Sequence, residues 1–197
     1  MKSLSDAYRI GIIGSSEVDV KSLEYKNVVN KCLELVRCFS VEKMVLFSGG
    51  DDGFTRFIMQ EFENNGGTTI GFFPGYQEQH PHFSEEGVSI PIFTGLGYGM
   101  RDILMVRTTE AVISVGGGCG TLNELTNAYF YHKPMYTLAN TGGWSQCLEN
   151  KYMDDRKKVV LKSFDDPQEL IKQLVLDVNK KRRLKKMVSS IIENKAN

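Results

Sequence analysis

Residues 116–124 read Gly116-Gly117-Gly118-Cys119-Gly120-Thr121-Leu122-Asn123-Glu124, with four glycines in the first five positions. Glycines at that density let backbone N–H groups turn toward an anion with no Cβ in the way. An apolar run, Ala111-Val112-Ile113-Ser114-Val115, precedes the loop and a helical pattern follows it. The positive end of that helix adds to the attraction. A phosphate or phosphate-like group is the natural occupant, held by Gly117, Gly118, Gly120 and Thr121. Two better-known phosphate loops do not fit. No lysine follows Gly120 as G-x-x-x-x-G-K-[ST] requires, and Thr121 stands where G-x-G-x-x-G needs its third glycine. ATP and NAD are weakly supported, and no cofactor is expected.

Thr121 and Glu124 carry two readings. Thr-x-x-Glu at a helix start is a capping box, which needs no function. Alternatively, Glu124 sits in the first helical turn beside the anion, where a carboxylate can meet positive charge developing on a ligand sugar. Other chemistry-bearing residues are read more plainly. Glu78, His80, His82 and Glu85 crowd one polar, proline-containing loop, which reads as solvated or a lid rather than a metal site. Cys119 opens a helix, where thiolates are stabilised, but no histidine is near it in sequence. Arg101, Asp102 and Arg107 lie on a helical segment, where charged side chains are ordinarily solvated.

These residues need a frame to hold them. Short continuous apolar runs at 9–13, 44–47, 68–73, 88–93, 111–115 and 134–138 read as six buried strands. Helical patterns separate them, including one whose apolar face is Leu23, Val29, Cys32, Leu33 and Val36. Strand, helix, strand, helix, strand through residue 75 requires crossovers and a parallel sheet. Uninterrupted apolar strands fit a sheet covered on both faces. The expectation is a single α/β domain over 1–197, a Rossmann-like open parallel sheet with helices on both faces. Its core spans about 9–178. A last helix runs from Gln168 to about Lys186, and 179–197 form a basic helix end and a frayed tail. Ligands of such sheets bind beyond the carboxyl ends of the strands. Two further turns fall there, Gly14-Ser15-Ser16 and Ser48-Gly49-Gly50-Asp51, so Gly14, Ser15, Gly49 and Gly50 join the candidate ligand-binding residues.

The chain has 197 residues, 24 Lys+Arg and 24 Asp+Glu, hence zero formal net charge. A global electrostatic case for nucleic acid is absent, so that partner is not expected. The run Lys180-Lys181-Arg182-Arg183-Leu184-Lys185-Lys186 is explained by favourable placement at a helix end and a solvated face. Four cysteines, none in a C-x-x-C pair, read as free thiols of a cytoplasmic protein. No apolar run approaches the roughly 18 residues of a membrane span, and no signal-peptide core follows Met1.

The string Gly116–Glu124 resembles the P-G-G-x-G-T-x-x-E signature of the LOG family, the cytokinin-activating phosphoribohydrolases also known as "lysine decarboxylase-like". Arg101 lies 23 residues before Glu124 and is similar to that family's upstream arginine. Gly14-Ser15-Ser16 is similar to its first G-S-S turn, and Ser48-Gly49-Gly50-Asp51-Asp52-Gly53 resembles its second. Gly66-Gly67-Thr68-Thr69-Ile70-Gly71-Phe72-Phe73-Pro74 is similar to the G-G-x-x-I-G-x-x-P that follows. The likeness covers about residues 9–150. Gly116 replaces the signature's proline, and Asp102 stands where the family's lysine follows the arginine. Arg107 and the G-G-G-x-G-T form look more like a sister branch, some of whose members are described as molybdenum-cofactor carriers or nucleotide-binding proteins.

The resemblance implies hydrolysis of the N-glycosidic bond of a nucleoside 5′-monophosphate, releasing free base and ribose 5-phosphate. In that reading Glu124 and Arg101 are catalytic and the glycine loop holds the 5′-phosphate. It also implies a homodimer or higher homo-oligomer, with residues 122–131 as one possible contact. The alternative is a non-catalytic nucleotide or pterin carrier using the same loop. A pyridoxal phosphate decarboxylase, implied by the older family name, ranks last because no lysine stands out at a strand end.

Overall fold

The computed structural model describes residues 6–49, 52–75 and 86–196. Seven strands form one sheet: β1 (Tyr8–Gly14), β2 (Met44–Ser48), β3 (Thr68–Phe73), β4 (Ile90–Phe93), β5 (Ala111–Val115), β6 (Met135–Leu138) and β7 (Leu161–Phe164). All neighbours are parallel, in the order β4-β3-β2-β1-β5-β6-β7. The chain winds outward from β1 to β4, then returns to the other side of β1 and winds outward again. Six α-helices accompany the strands: α1 (Lys26–Val41), α2 (Gly53–Asn64), α3 (Tyr98–Thr108), α4 (Cys119–Phe130), α5 (Gly143–Cys147) and α6 (Pro167–Ala196).

Strand alternation divides the core into two apolar layers. Ile10, Ile12, Leu46, Ile113 and Leu138 face α1, α2 and α6, where Leu35, Phe39, Ile58 and Leu174 meet them. Ile13, Val45, Phe47 and Val112 face α3 and α4, where Met105, Val106, Leu125 and Ala128 are buried. Each such side chain contributes roughly 1.5–3 kcal/mol by leaving water. Helices thus cover both faces, as uninterrupted apolar strands require.

Three local expectations change. β7 is a seventh strand that the apolar-run criterion misses, because only Leu161 of its four residues is buried. It is an edge strand bearing Lys162 and Ser163, too short and polar to stand out in the sequence. The buried face of α1 is Val28, Cys32, Leu35, Val36 and Phe39, whereas Leu23 is 85% exposed in the short 3-10 turn before it. Finally, α6 does not end near Lys186 and leave a frayed tail. It continues to Ala196, so the basic run 180–186 lies mid-helix, away from the helix end that was to explain it.

No helix among the described residues is long and apolar enough to cross a membrane. Of the segment 122–131, Leu125, Ala128 and Tyr129 turn into the core, while Phe130 and Tyr131 are exposed.

Between β1 and β5 the winding direction reverses, and here the strand ends approach closely. A Cβ on Gly14 would lie 2.3 Å from the Val115 carbonyl oxygen, so only glycine lets the two strand ends approach this closely. Gly120 faces open space instead. Gly14→Ala is therefore expected to destabilise the protein by about 1–3 kcal/mol through backbone displacement. Gly120→Ala should be neutral or slightly stabilising, because alanine is the better helix former. Urea denaturation of both variants measures the difference.

Candidate functional site

Crevices form where a doubly wound sheet reverses, because the loops after the two central strands leave toward opposite faces. After β1 the chain passes through Ser15 and Ser16 toward α1. After β5 it passes through Gly116–Gly118 into α4. A cleft of about 710 Å³ opens between them, lined by Gly14, Ser15, Ser16, Glu17 and Val18 from one side and by residues 117–121 from the other. Tyr98, Arg101 and Asp102 of α3 and Glu124 of α4 complete the wall.

The β5–α4 loop is held from three directions. The Gly116 N–H donates to Thr141 Oγ1 at 3.0 Å, and the Gly117 N–H donates to Ser15 Oγ at 2.6 Å. The Trp144 N–H reaches the Gly117 carbonyl, and Ser145 donates through both its N–H and its hydroxyl to the Gly116 carbonyl. Gly117 has φ +102°, and a Cβ there would fall 2.2 Å from Thr121 Oγ1. These bonds consume the first two N–H groups of the loop. The loop N–H groups left to face the cleft are thereby narrowed to the start of α4. The Leu122 N–H makes the first intrahelical bond, to the Gly118 carbonyl. The N–H groups of Cys119, Gly120 and Thr121 therefore have no partner within the helix. With the helix dipole they form a candidate anion cradle at the cleft wall.

The capping box is replaced by a different arrangement. Gly118 is the N-cap, in extended conformation, and Thr121 lies within the first turn. The Thr121 hydroxyl donates to the Gly14 carbonyl at 3.1 Å, tying the helix start to the end of β1. Glu124 is in the second turn rather than the first, and is 7% exposed. Ser15 accepts from Gly117 yet keeps its hydroxyl proton as a donor.

Arg101 is not a solvated helix charge: it is 2% exposed. Its Nε lies 3.2 Å from Asp102 Oδ1, and its guanidinium sits 5.5 Å from the Tyr98 ring centre. Asp102, 7% exposed, also accepts from Asn123 Nδ2 of α4 at 3.2 Å. Asp102 thus links α3 to α4 and holds Arg101 in place. The expectation of a solvated Asp102 is overturned, because an ion at this depth needs a charged or hydrogen-bonding partner and has both. Arg107 is exposed and stacks on Tyr131, away from the cleft.

The cleft unites Gly14, Ser15, Gly117, Gly118, Gly120, Thr121, Arg101 and Glu124. Gly49 is buried at the end of β2 and does not line it. Gly50 and Asp51, and the loop bearing Glu78, His80, His82 and Glu85, lie outside the described residues. Sequence reasoning missed Asp102, Tyr98 and Glu17 as lining residues, along with Asn123, Thr141 and Ser145 as their supports. Only the adjacency of two opposite charges at 101–102 hinted at a buried pair. Among the described residues, the lining carries three carboxylates and one guanidinium. Unpaired helix N–H groups thus line one end of the cleft and ionisable carboxyl groups the other.

Cys119 provides a reporter for this cleft. Cys119 and Cys147 are exposed, whereas burial pushes the Cys32 thiol up to about 12. Alkylation by iodoacetamide at pH 8 followed by peptide mapping is expected to label Cys119 and Cys147 and to spare Cys32. A ligand seated on the α4 cradle should slow labelling of Cys119 at least about fivefold and leave Cys147 unchanged, since an occupied pocket excludes most of a ligand-sized volume.

Residues 7–171 match the model of the SLOG cluster4 family. Among solved structures, the structural-genomics target TM1055 is 28% identical, with a TM-score of 0.70 over 86% of this chain and 99% of that one. The molybdenum cofactor binding protein from Rippkaea orientalis is 26% identical, with a TM-score of 0.66 over 86% of this chain and 98% of that one. The molybdenum cofactor carrier protein MCP from Chlamydomonas reinhardtii is 27% identical, with a TM-score of 0.62 over 86% of this chain and 99% of that one.

Proposed function

The chain belongs to the SLOG cluster4 family, and from that premise we propose that it is a LOG-like nucleoside 5′-monophosphate phosphoribohydrolase. The observation that carries the reading is the polarity of the cleft. A neutral backbone cradle at the start of α4 suits a phosphate, and the buried carboxylates Glu124 and Asp102 suit a cationic sugar.

The chemistry follows from that polarity. Breaking an N-glycosidic bond builds positive charge on the ribose ring, and a fixed carboxylate in a partly desolvated site stabilises it. Water adds to C1′ as the C1′–N bond breaks with its electron pair on the base. One proton of that water passes to Glu124 and the base nitrogen takes up a proton, giving free base and ribose 5-phosphate. Arg101, braced by Asp102, orients Glu124 or the ribose hydroxyls. Ser15 donates to a phosphate oxygen.

A second reading, a carrier that binds a nucleotide or pterin without turnover, is favoured by the two molybdenum-cofactor proteins among the solved structures. Asp102 in place of the LOG lysine points the same way. A single domain and a homodimer or higher homo-oligomer are part of the proposal, with exposed Phe130 and Tyr131 as contact residues.

The test is incubation with a panel of nucleoside monophosphates, including AMP, GMP, CMP and an isopentenyl-AMP. Base and ribose 5-phosphate are expected in equal amounts. Glu124→Gln should lower kcat by about 10²–10⁴ while binding persists. Gly118→Asp places a carboxylate in the cradle, at an N-cap position where aspartate is favoured and a Cβ meets open space. It should abolish binding without lowering the melting temperature. Tight binding of one nucleotide with no base released from any would replace the hydrolase by the carrier. Absence of all binding would remove both readings.

A further inference from the structure

A second cavity, of about 280 Å³, lies at the opposite end of the sheet, beneath the N-terminal ends of β1, β5 and β6. Its wall carries six cations: Arg9, Arg107, Lys133, Lys181, Arg182 and Lys185. Glu110 is the one carboxylate among its described lining residues, and Arg182 engages both of its oxygens at 2.6–2.7 Å. Arg9 Nη2 reaches the same carboxylate at 4.0 Å, so six cations share one small concavity with a single described carboxylate, a net excess of five positive charges.

Structural duties account for part of this. The Lys133 ammonium donates to the carbonyls of Arg107 and Thr109 at the end of α3, and Lys181 donates to the His132 carbonyl just past α4. Cations are favourable at helix C-termini, but each end carries only roughly −0.5 of a charge. Two ends offset about one of the five. Arg9, Arg107 and Lys185 hold no helix end there: Arg9 reaches only the Glu110 carboxylate that Arg182 already engages, and Arg107 stacks on Tyr131. Their convergence is costly as it stands: burial, then Lys181, Lys185 and Arg9, push the Lys133 ammonium down to about 8. Burial and Lys185 lower Lys181 as well. The basic run 180–186 is thus explained neither by a helix end nor by a purely solvated face, since Lys181 and Arg182 turn into this cavity.

We propose that this basic cavity is a second anion site, for a compact diphosphate group, formed between α6 and the lower edges of β1, β5 and β6. Several closely spaced cations match several closely spaced negative oxygens, and guanidinium groups at Arg9 and Arg107 suit phosphate oxygens in particular. The volume admits inorganic pyrophosphate or the diphosphate tail of a nucleotide, and it is small for a nucleic-acid backbone to track through. The site is separate from the α4 cradle and does not rest on the hydrolase reading.

The test is isothermal titration of inorganic pyrophosphate, and separately of ADP and AMP, into the full-length Gly118→Asp protein. That background keeps the α4 cradle out of the measurement, whether or not the cradle binds nucleotides. Saturable pyrophosphate binding is expected, weakening as salt rises. The added pair Arg9→Ala and Lys185→Ala, both outside the helix-capping contacts, should weaken it about tenfold or more at unchanged melting temperature. ADP tighter than pyrophosphate would identify a nucleotide tail as the source of the diphosphate, and the reverse order the free anion. The proposal is overturned if no saturable binding is seen, if the double variant binds equally well, or if a single-stranded oligonucleotide binds this end more tightly than either small ligand.

Discussion

Everything at the cleft depends on the fork between β1 and β5. The two strands run side by side to Gly14 and Val115, where the Ser15 N–H still bonds the Val115 carbonyl at 3.0 Å. One residue later the chains part, one toward α1 and the other toward α4. The divergence leaves a crevice that side chains cannot fill, because the strands beneath it are already packed on both faces. Two bonds set the direction of α4 against this fork: Ser15 Oγ to the Gly117 N–H, and the Thr121 hydroxyl to the Gly14 carbonyl. The helix start therefore points its N–H groups at a place that β1 defines. Neither strand could build the cradle alone.

Beside the fork, α3 and α4 bury a small charged cluster. Arg101, Asp102 and Asn123 are joined across the helix pair in surroundings where an isolated charge would be prohibitive. That cost is tolerated because the groups satisfy one another. It yields a guanidinium and carboxylates whose positions are set by packing rather than by solvent. Preorganisation of this kind is what a site needs when charge develops in it, since nothing has to reorganise as the charge appears.

The zero net charge conceals a strong polarity along the strand direction. The upper end presents helix N-termini, glycine backbone and carboxylates. The lower end gathers the C-termini of α3 and α4 and, around them, cations from β1, the loop before β6, and α6. A parallel sheet with crossover helices imposes this asymmetry, because every helix between parallel strands runs antiparallel to them. Dipoles of one sign then collect at each end. Composition alone averages the two ends to nothing.

How much of this was legible beforehand follows from how local each cause is. Six strands, their order along the chain and the coverage of both faces were readable, since an apolar run bounded by glycine or proline is a local property. So was the β5–α4 loop, because a run of glycines marks a turn through positive φ, as at Gly116 and most sharply at Gly117 with φ +102°. The sequence by itself therefore determined a parallel α/β sheet and the glycine loop that lines its central cleft. Tertiary structure decided the rest. β7 exists because β6 offers it an edge, α1 is rotated by what it packs on, and α6 outlasts its apolar pattern. Arg101 and Asp102 are buried because α3 meets α4, while Lys133, Lys181 and Arg9 converge across more than 170 residues of chain. Burial and electrostatic neighbourhood are properties of space, and residues distant in sequence carry no local mark of whom they will meet.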